Sequence, residues 1–229
     1  MKLLGICTDA KTSKGAKYGF LTGILYLAPA DISGRDVCPS RSPGCTSACL
    51  FTAGRGAFSN VQNARIRKTN LLFSDRPAFI EQLRQDIVLL IKKAKAEGKT
   101  PCVRLNGTSD LGWEGLAKSI IEEFSDVQFY DYTKVLPRMK RFCEGKFPKN
   151  YHLTFSRSEC NWEDCKIVLS LGGNVASVFY KVLPDNYEGY KVIDGDLSDL
   201  RFLDDKNVIV GLKAKGKAKY DESGFVIFA

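Results

Sequence analysis

Apolar positions recur along this chain in two ways. Short continuous apolar runs, bounded by turn formers, alternate with segments in which apolar residues return every three or four positions. The first pattern predicts buried strands and the second amphipathic helices. GILYLAP (23–29) ends at a proline and predicts a strand. SNVQNARIRKTNLLF (59–73) predicts a helix with Ser59 or Asn60 as its cap. The next helix has the clearest pattern. Ser74 or Asp75 caps it, Pro77 stands in its first turn, and Phe79, Ile80, Leu83, Ile87, Leu90 and Ile91 repeat at helical spacing before Gly98.

Further along, TPCVRLNG (100–107) predicts a strand, and WEGLAKSIIEEF (113–124) a helix with Leu116, Ile120, Ile121 and Phe124 on one face. VQFYDYTK (127–134) predicts a strand, followed by a basic helix, and NYHLTFSRS (150–158) another strand. NWEDCKIVLSLGG (161–173) predicts a helix that starts at Asn161 and stops at Gly172 and Gly173. VASVFYKV, YKVIDGD and NVIVGLKAK predict three more strands, the last two joined by a short acidic connection, LSDLRFLDD.

Strands that are apolar throughout, alternating with helices, are the mark of a parallel sheet with helices outside it. The strands number about seven, short of a full eightfold barrel of roughly 250 residues. The expected fold is therefore α/β, an open, partial β/α barrel of six to seven mostly parallel strands. No repeat or linker divides the chain, so one domain over 1–229 is expected.

Composition narrows the class. A hydrophobic content of 44% and a charged content of 26% suit a soluble globular protein. No apolar run approaches the roughly 20 residues of a membrane span, and the apolar patch in MKLLGICTDAKTSKG is too short for a signal segment. A cytoplasmic protein with no membrane partner is expected. That compartment disfavours disulfides among the eight cysteines, Cys7, Cys38, Cys45, Cys49, Cys102, Cys143, Cys160 and Cys165. Clustered thiols in such a chain read as metal ligands or reactive groups. The net charge of +8 points toward a polyanionic partner, with one local concentration in GLKAKGKAK (211–219).

Parallel α/β folds bind ligands beyond the carboxyl ends of their strands. Polar residues gather at those places here. They include Asn106, Gly107, Thr108, Ser109 and Asp110; Asp131, Thr133 and Lys134; Ser156, Arg157, Ser158 and Glu159; Asp194, Gly195 and Asp196; and Lys213 and Lys215. Turn and cap formation accounts for any one of them. Their collection at one rim is what suggests a site.

VCPSRSPGCTSACLFTAGRG (37–56) follows the first predicted strand and carries Cys38, Cys45 and Cys49. Its prolines and glycines let it wrap around a group. Cys45 and Cys49 are one helical turn apart, and Gly54 and Gly56 permit close backbone approach. Zinc in structural sites takes four ligands, often as two close pairs. Three cysteines with no Cys-x-x-Cys suit a [4Fe–4S] cluster better, its fourth iron open or held from elsewhere. Cys160, near the end of the fourth strand, is the better outside ligand. Cys165 and Cys102 read as core thiols, and His152 as a structural histidine. Cys7 and Cys143 receive no role.

A cysteine loop after the first strand of a parallel β/α fold resembles the radical S-adenosylmethionine (SAM) superfamily. There three cysteines hold a four-iron cluster and SAM chelates the fourth iron. By that resemblance LNGTSD (105–110) stands where the superfamily has its SAM-binding turn, and Ser156 and Arg157 face SAM or substrate. The spacing here is Cys-x6-Cys-x3-Cys in place of Cys-x3-Cys-x2-Cys, and the glycine-glycine-glutamate turn is absent.

A closer resemblance covers nearly the whole chain. ILYLAP, the cysteine loop, VRLNGTSD, FYDYTK, YHLTFSRSE, VIDGD and VGLKAKGKAK…SGFV are similar to the bacteriophage "gene product eighty-eight" domain family. That resemblance implies a phage-encoded protein in the cytoplasm of an infected bacterium.

Three functions follow as expectations. The first is an iron–sulfur protein with Cys38, Cys45 and Cys49 on the cluster. Asn106, Gly107, Ser109, Asp110, Lys134, Ser156 and Arg157 then face a ligand such as SAM, with redox or radical chemistry. The second is a non-enzymatic protein with a structural cluster or zinc that binds nucleic acid or a host protein. The third is an electron-transfer protein whose cluster is completed by Cys160 or Cys165.

Overall fold

The computed structural model describes residues 1–6 and 14–228; Cys7 lies outside the described residues. Strand β1 (Leu4–Ile6) runs antiparallel to β2 (Phe20–Leu25). The short helices α1 (Ala30–Ser33) and α2 (Pro43–Ser47) flank Cys38, and the long helices α3 (Ser59–Ser74) and α4 (Arg76–Ala96) follow. Next come β3 (Thr100–Arg104), α5 (Trp113–Leu116), α6 (Lys118–Glu123), β4 (Gln128–Thr133), α7 (Leu136–Cys143), β5 (Tyr151–Ser156) and α8 (Trp162–Ser170). The chain ends with β6 (Val175–Phe179), β7 (Asn186–Tyr187), β8 (Tyr190–Asp194), β9 (Ile209–Lys213) and β10 (Val226–Ile227).

These strands form one ten-stranded open sheet in the order β1-β2-β3-β4-β5-β6-β9-β8-β7, with β10 also paired to β6. Neighbours from β2 through β9 to β8 are parallel, and only the pairs with β1 and β7 are antiparallel. The seven expected strands are present. The three beyond them are only two or three residues long, too short to show a period. The expectation of six to seven strands is corrected to ten on this account, and the sheet ends in two edges.

Helix α4 shows how pattern becomes packing. The Asp75 side chain accepts from the backbone N–H of Ala78 at 3.0 Å, and Pro sits in the first turn. Phe79, Leu83, Ile87, Leu90 and Ala94 are buried against β1, β2 and β3. Buried Asp86 accepts from the N–H groups of Leu3 at 2.5 Å and Leu4 at 2.9 Å, which ties the first strand down. The helix expected over 113–124 is instead two, broken at Ala117.

Alternation in the strands separates two faces. Val103, Phe129, Leu153, Phe155 and Val175 join the main core with the helices. Cys102 and Tyr130 point to the other face and pack with Phe20, Leu200 and Phe202. The middle of the connection 197–205, Asp199 to Arg201, is therefore buried, while Leu197 and Leu203 stay exposed. It crosses the sheet face opposite the helices. Its Asp199 pairs with Arg104 at 2.9 Å, with both side chains buried, and accepts from the hydroxyls of Tyr130 and Tyr132, each at 3.4 Å. Above this plug, small side chains such as Ala176 leave room on the same face.

Candidate metal and ligand site at the sheet mouth

The cysteine loop is built around one carboxylate. Ser42 precedes α2, and its Oγ accepts from the N–H of Cys45 at 3.2 Å. The same hydroxyl donates to Glu159 Oε2 at 2.7 Å, and the N–H of Gly44 donates to Glu159 Oε1 at 2.8 Å. Burial works against the charge of Glu159, but these hydrogen bonds hold its carboxyl below the ordinary carboxylate value. Gly44 is required by closeness. A Cβ there would fall 2.8 Å from Glu159 Oε2 and from Phe225 Cβ.

Cys38 is placed by the turn that follows β3. The N–H of Asp110 donates to Val37 O at 2.8 Å. The Cys38 N–H donates to Asp36 Oδ1 at 3.0 Å, and its Sγ lies 3.7 Å from Thr108 O. Helix α2 stops at Ser47, so Cys49 follows it rather than sharing one continuous helix with Cys45. Gly54 and Gly56, expected near a bound group, lie away from the cavity lining; Gly56 packs on Phe51 and Arg65.

Cys38, Cys45 and Cys49 all line one cavity of about 250 Å³ at the carboxyl ends of the strands. Its floor is the face opposite the helices, through Arg104, Tyr132, Ala176, Val178 and Leu212. Among the described residues six basic side chains and two acidic ones line it, so this lining is cationic. Asn106, Gly107, Ser109, Asp110, Lys134, Ser156 and Arg157 all line it as expected.

Several of these residues also build the wall. Asn106 Oδ1 accepts from Ser109 Oγ at 2.7 Å, Leu111 N at 3.0 Å and Trp113 Nε1 at 3.0 Å. Gly107 lets the turn lie against β2, where a Cβ would be 2.6 Å from Leu25 O. Asp110 accepts from the N–H of Lys134 at 2.7 Å. Arg157 donates from Nη1 to the carbonyls of Gly224 and Phe225, both at 3.0 Å.

Other rim residues do not join. Asp131 faces the helix side, where it accepts from Tyr151 Oη at 2.5 Å and Asn106 N at 2.6 Å. Thr133, Ser158, Glu159, Asp194 and Gly195 are not in the lining, whereas Asp196, Lys213 and Lys215 are. Cys160 is exposed and lies outside the lining. Cys165 is in the main core, and buried Cys102 contacts Thr22 Oγ1 at 3.2 Å. His152 packs edge-on to Phe142.

The chain matches the family model described as Gene product 88 over residues 3–229. The chain belongs to the Gene product 88 family. No curated protein and no solved structure matches it.

In this Gene product 88 chain burial holds the Cys38 and Cys49 thiols protonated at neutral pH. Burial pushes Cys38 up to about 12, with Asp110 adding to the effect. Burial also raises Cys49. Such thiols are poor nucleophiles, and only a cation that replaces their protons would stabilise the thiolates there. Among the described residues no group of three or more His, Cys, Asp or Glu side chains could hold a single metal ion. Cys38, Cys45 and Cys49 thus share one cavity without meeting at a single point. No helix among the described residues is long and apolar enough to cross a membrane.

Sequence reasoning missed Arg104, Tyr132, Phe225 and the clamp on α2 by Glu159. The charge of Arg104 inside an apolar strand was a readable signal, because charged side chains are rarely buried without a partner. The Glu159 contact joins positions 115 residues apart and leaves no local mark.

Proposed function

We propose that this family member is an iron–sulfur protein. Cys38, Cys45 and Cys49 hold a [4Fe–4S] cluster at the mouth of an open barrel of radical-SAM type, and the fourth iron stays open to SAM or another small ligand. The observation that carries this reading is that the three loop cysteines line one cavity that neither Cys160 nor Cys165 lines. That favours an open iron over an all-cysteine electron-transfer centre. The donor chemistry suits the group, and the cationic wall offsets the negative charge of three thiolates and a cluster. A cluster bound there would supply one electron to the ligand on its open iron. Lys134 and Arg157 orient that ligand. The protein acts in the cytoplasm of the phage-infected cell.

Anaerobic purification tests this directly. The expected preparation is brown, with iron and acid-labile sulfide in the ratio of a [4Fe–4S] cluster. A colourless protein with neither, even after reconstitution, overturns the reading. SAM chemistry adds the release of 5′-deoxyadenosine by reduced protein; its absence removes SAM and leaves the cluster.

A second reading rests on the turn Gly216–Tyr220. Lys217 and Lys219 are exposed there, beside a Tyr220 that is 86% exposed. Lysines for phosphates and an aromatic face for a base are the elements of a single-strand contact. Affinity for a single-stranded oligonucleotide should fall steeply with salt, and a salt-indifferent affinity rejects this reading.

A further inference from the structure

Two arginines leave buried donors unanswered at the cavity. Arg104 is only 8% exposed. Its Nη1 binds Asp199 at 2.9 Å and its guanidinium lies over the Tyr132 ring at 4.6 Å. Its Nε–H nevertheless is buried with no partner among the described residues. Arg157 is similar, since its Nη1 serves the Gly224 and Phe225 carbonyls while its Nε is buried without a partner. Both arginines line the cavity. Lys134 lines it too and makes no ion pair with a described carboxylate; its Nζ lies 5.8 Å from the centre of the Phe225 ring. Buried donors are normally satisfied, and exceptions call for an explanation.

We propose that the cavity takes a small anionic ligand, a carboxylate or phosphate monoester with a compact apolar body. Its oxyanion accepts from Lys134, beside the guanidinium groups of Arg104 and Arg157 that line the same space. Its apolar body rests on Ala176, Val178, Leu212 and Phe225, which line the same space. Charge-assisted hydrogen bonds from cationic side chains to an oxyanion are the strong kind. The inference shares the cavity with the cluster reading, and rests on it only for the ligand's role as a reactant. Binding itself requires the arginines, the lysine and the apolar floor.

Isothermal titration of the full chain, purified anaerobically, tests this with three probes of one shape: phenyl phosphate, benzoate and neutral benzamide. At least one anion should bind, and benzamide should bind at least about tenfold more weakly, one decade in Kd. The tighter anion identifies the headgroup as phosphate or carboxylate. Arg104→Lys keeps a charge for Asp199 but lacks the planar guanidinium fork, and should weaken the anion about tenfold. Lys134→Gln, on a half-buried residue, should do the same and keeps the test open if Arg104→Lys fails to fold. Lys118→Gln, on exposed α6, should change nothing. Equal binding of benzamide, binding of neither anion, or unchanged affinity in a folded Lys134→Gln overturns the proposal. Iron and sulfide are measured on the same samples. A cluster without anion binding rejects this inference alone, and anion binding without iron rejects the cluster alone.

Discussion

Glu159 holds the start of α2 through Ser42 and Gly44, and so sets where Cys45 enters the cavity. Removing it strips a capping helix of its anchor. Glu159→Ala should cost about 1–2 kcal/mol in urea unfolding and lower the iron retained after reconstitution. Glu159→Gln should fall between the two, because one oxygen can still accept. His152 gives a pH signature. Burial, helped by Arg201, lowers its pKa from 6.5 to about 4. As pH falls below 6.5 the unfolded chain takes up a proton that the folded chain refuses until about 4. Stability should therefore drop across that window by about 1.4 kcal/mol per pH unit. His152→Phe should lack that part of the slope, which denaturation curves at stepped pH would measure. Of the residue-scale features, Asn106 and Lys134 were legible as polar groups after strands. Their opposite uses, one building the wall and one facing the cavity, were not, because a side chain's partner is chosen in three dimensions.

At the scale of elements, helix α4 was readable almost residue by residue, since its apolar spacing, cap and stop are all local. The connection 197–205 was not. Its acidic composition suggests a solvated link, yet Asp199 lies buried against Arg104, Tyr130 and Tyr132. Asp199→Ala would leave a buried guanidinium without its counter-charge and should cost about 3–5 kcal/mol, read by chemical denaturation. An effect below 1 kcal/mol, on the scale of a surface pair, would mean that the segment does not seal the sheet. The helix over 113–124 was also legible as helical, but its break at Ala117 was not. The apolar spacing continues through the break.

On the scale of the whole molecule, the sheet parts between β5 and β6. They pair only at Phe155 with Val175 and Ser156 with Ala176. Beyond that point β10 takes the place beside β6, pairing Val226 with Val178 and Ile227 with Phe179. Arg157 grips the approach to β10, and Phe225 closes one side of the cavity. A chain ending at Asp221 should lose about 3–6 kcal/mol from two apolar side chains uncovered and should lower the melting temperature. It should also lose the anion affinity. Retention of both would show that the C-terminal strand is dispensable to the site.

The sequence alone determined the seven parallel strands, the outer helices, the membership of the cysteine loop in the rim and the polar residues around it. All of these depend on period, on turn chemistry or on position after a strand, which are properties of neighbouring residues. Only the tertiary structure decided that Asp131 faces the helices, that Glu159 clamps α2, that Cys160 stands apart, and that Arg104 and Arg157 bring unanswered donors to the same cavity as three thiols. Those facts depend on which side of a strand a residue takes and which distant segment lies opposite it. Both are fixed by the closing of the core and not by any local stretch of chain.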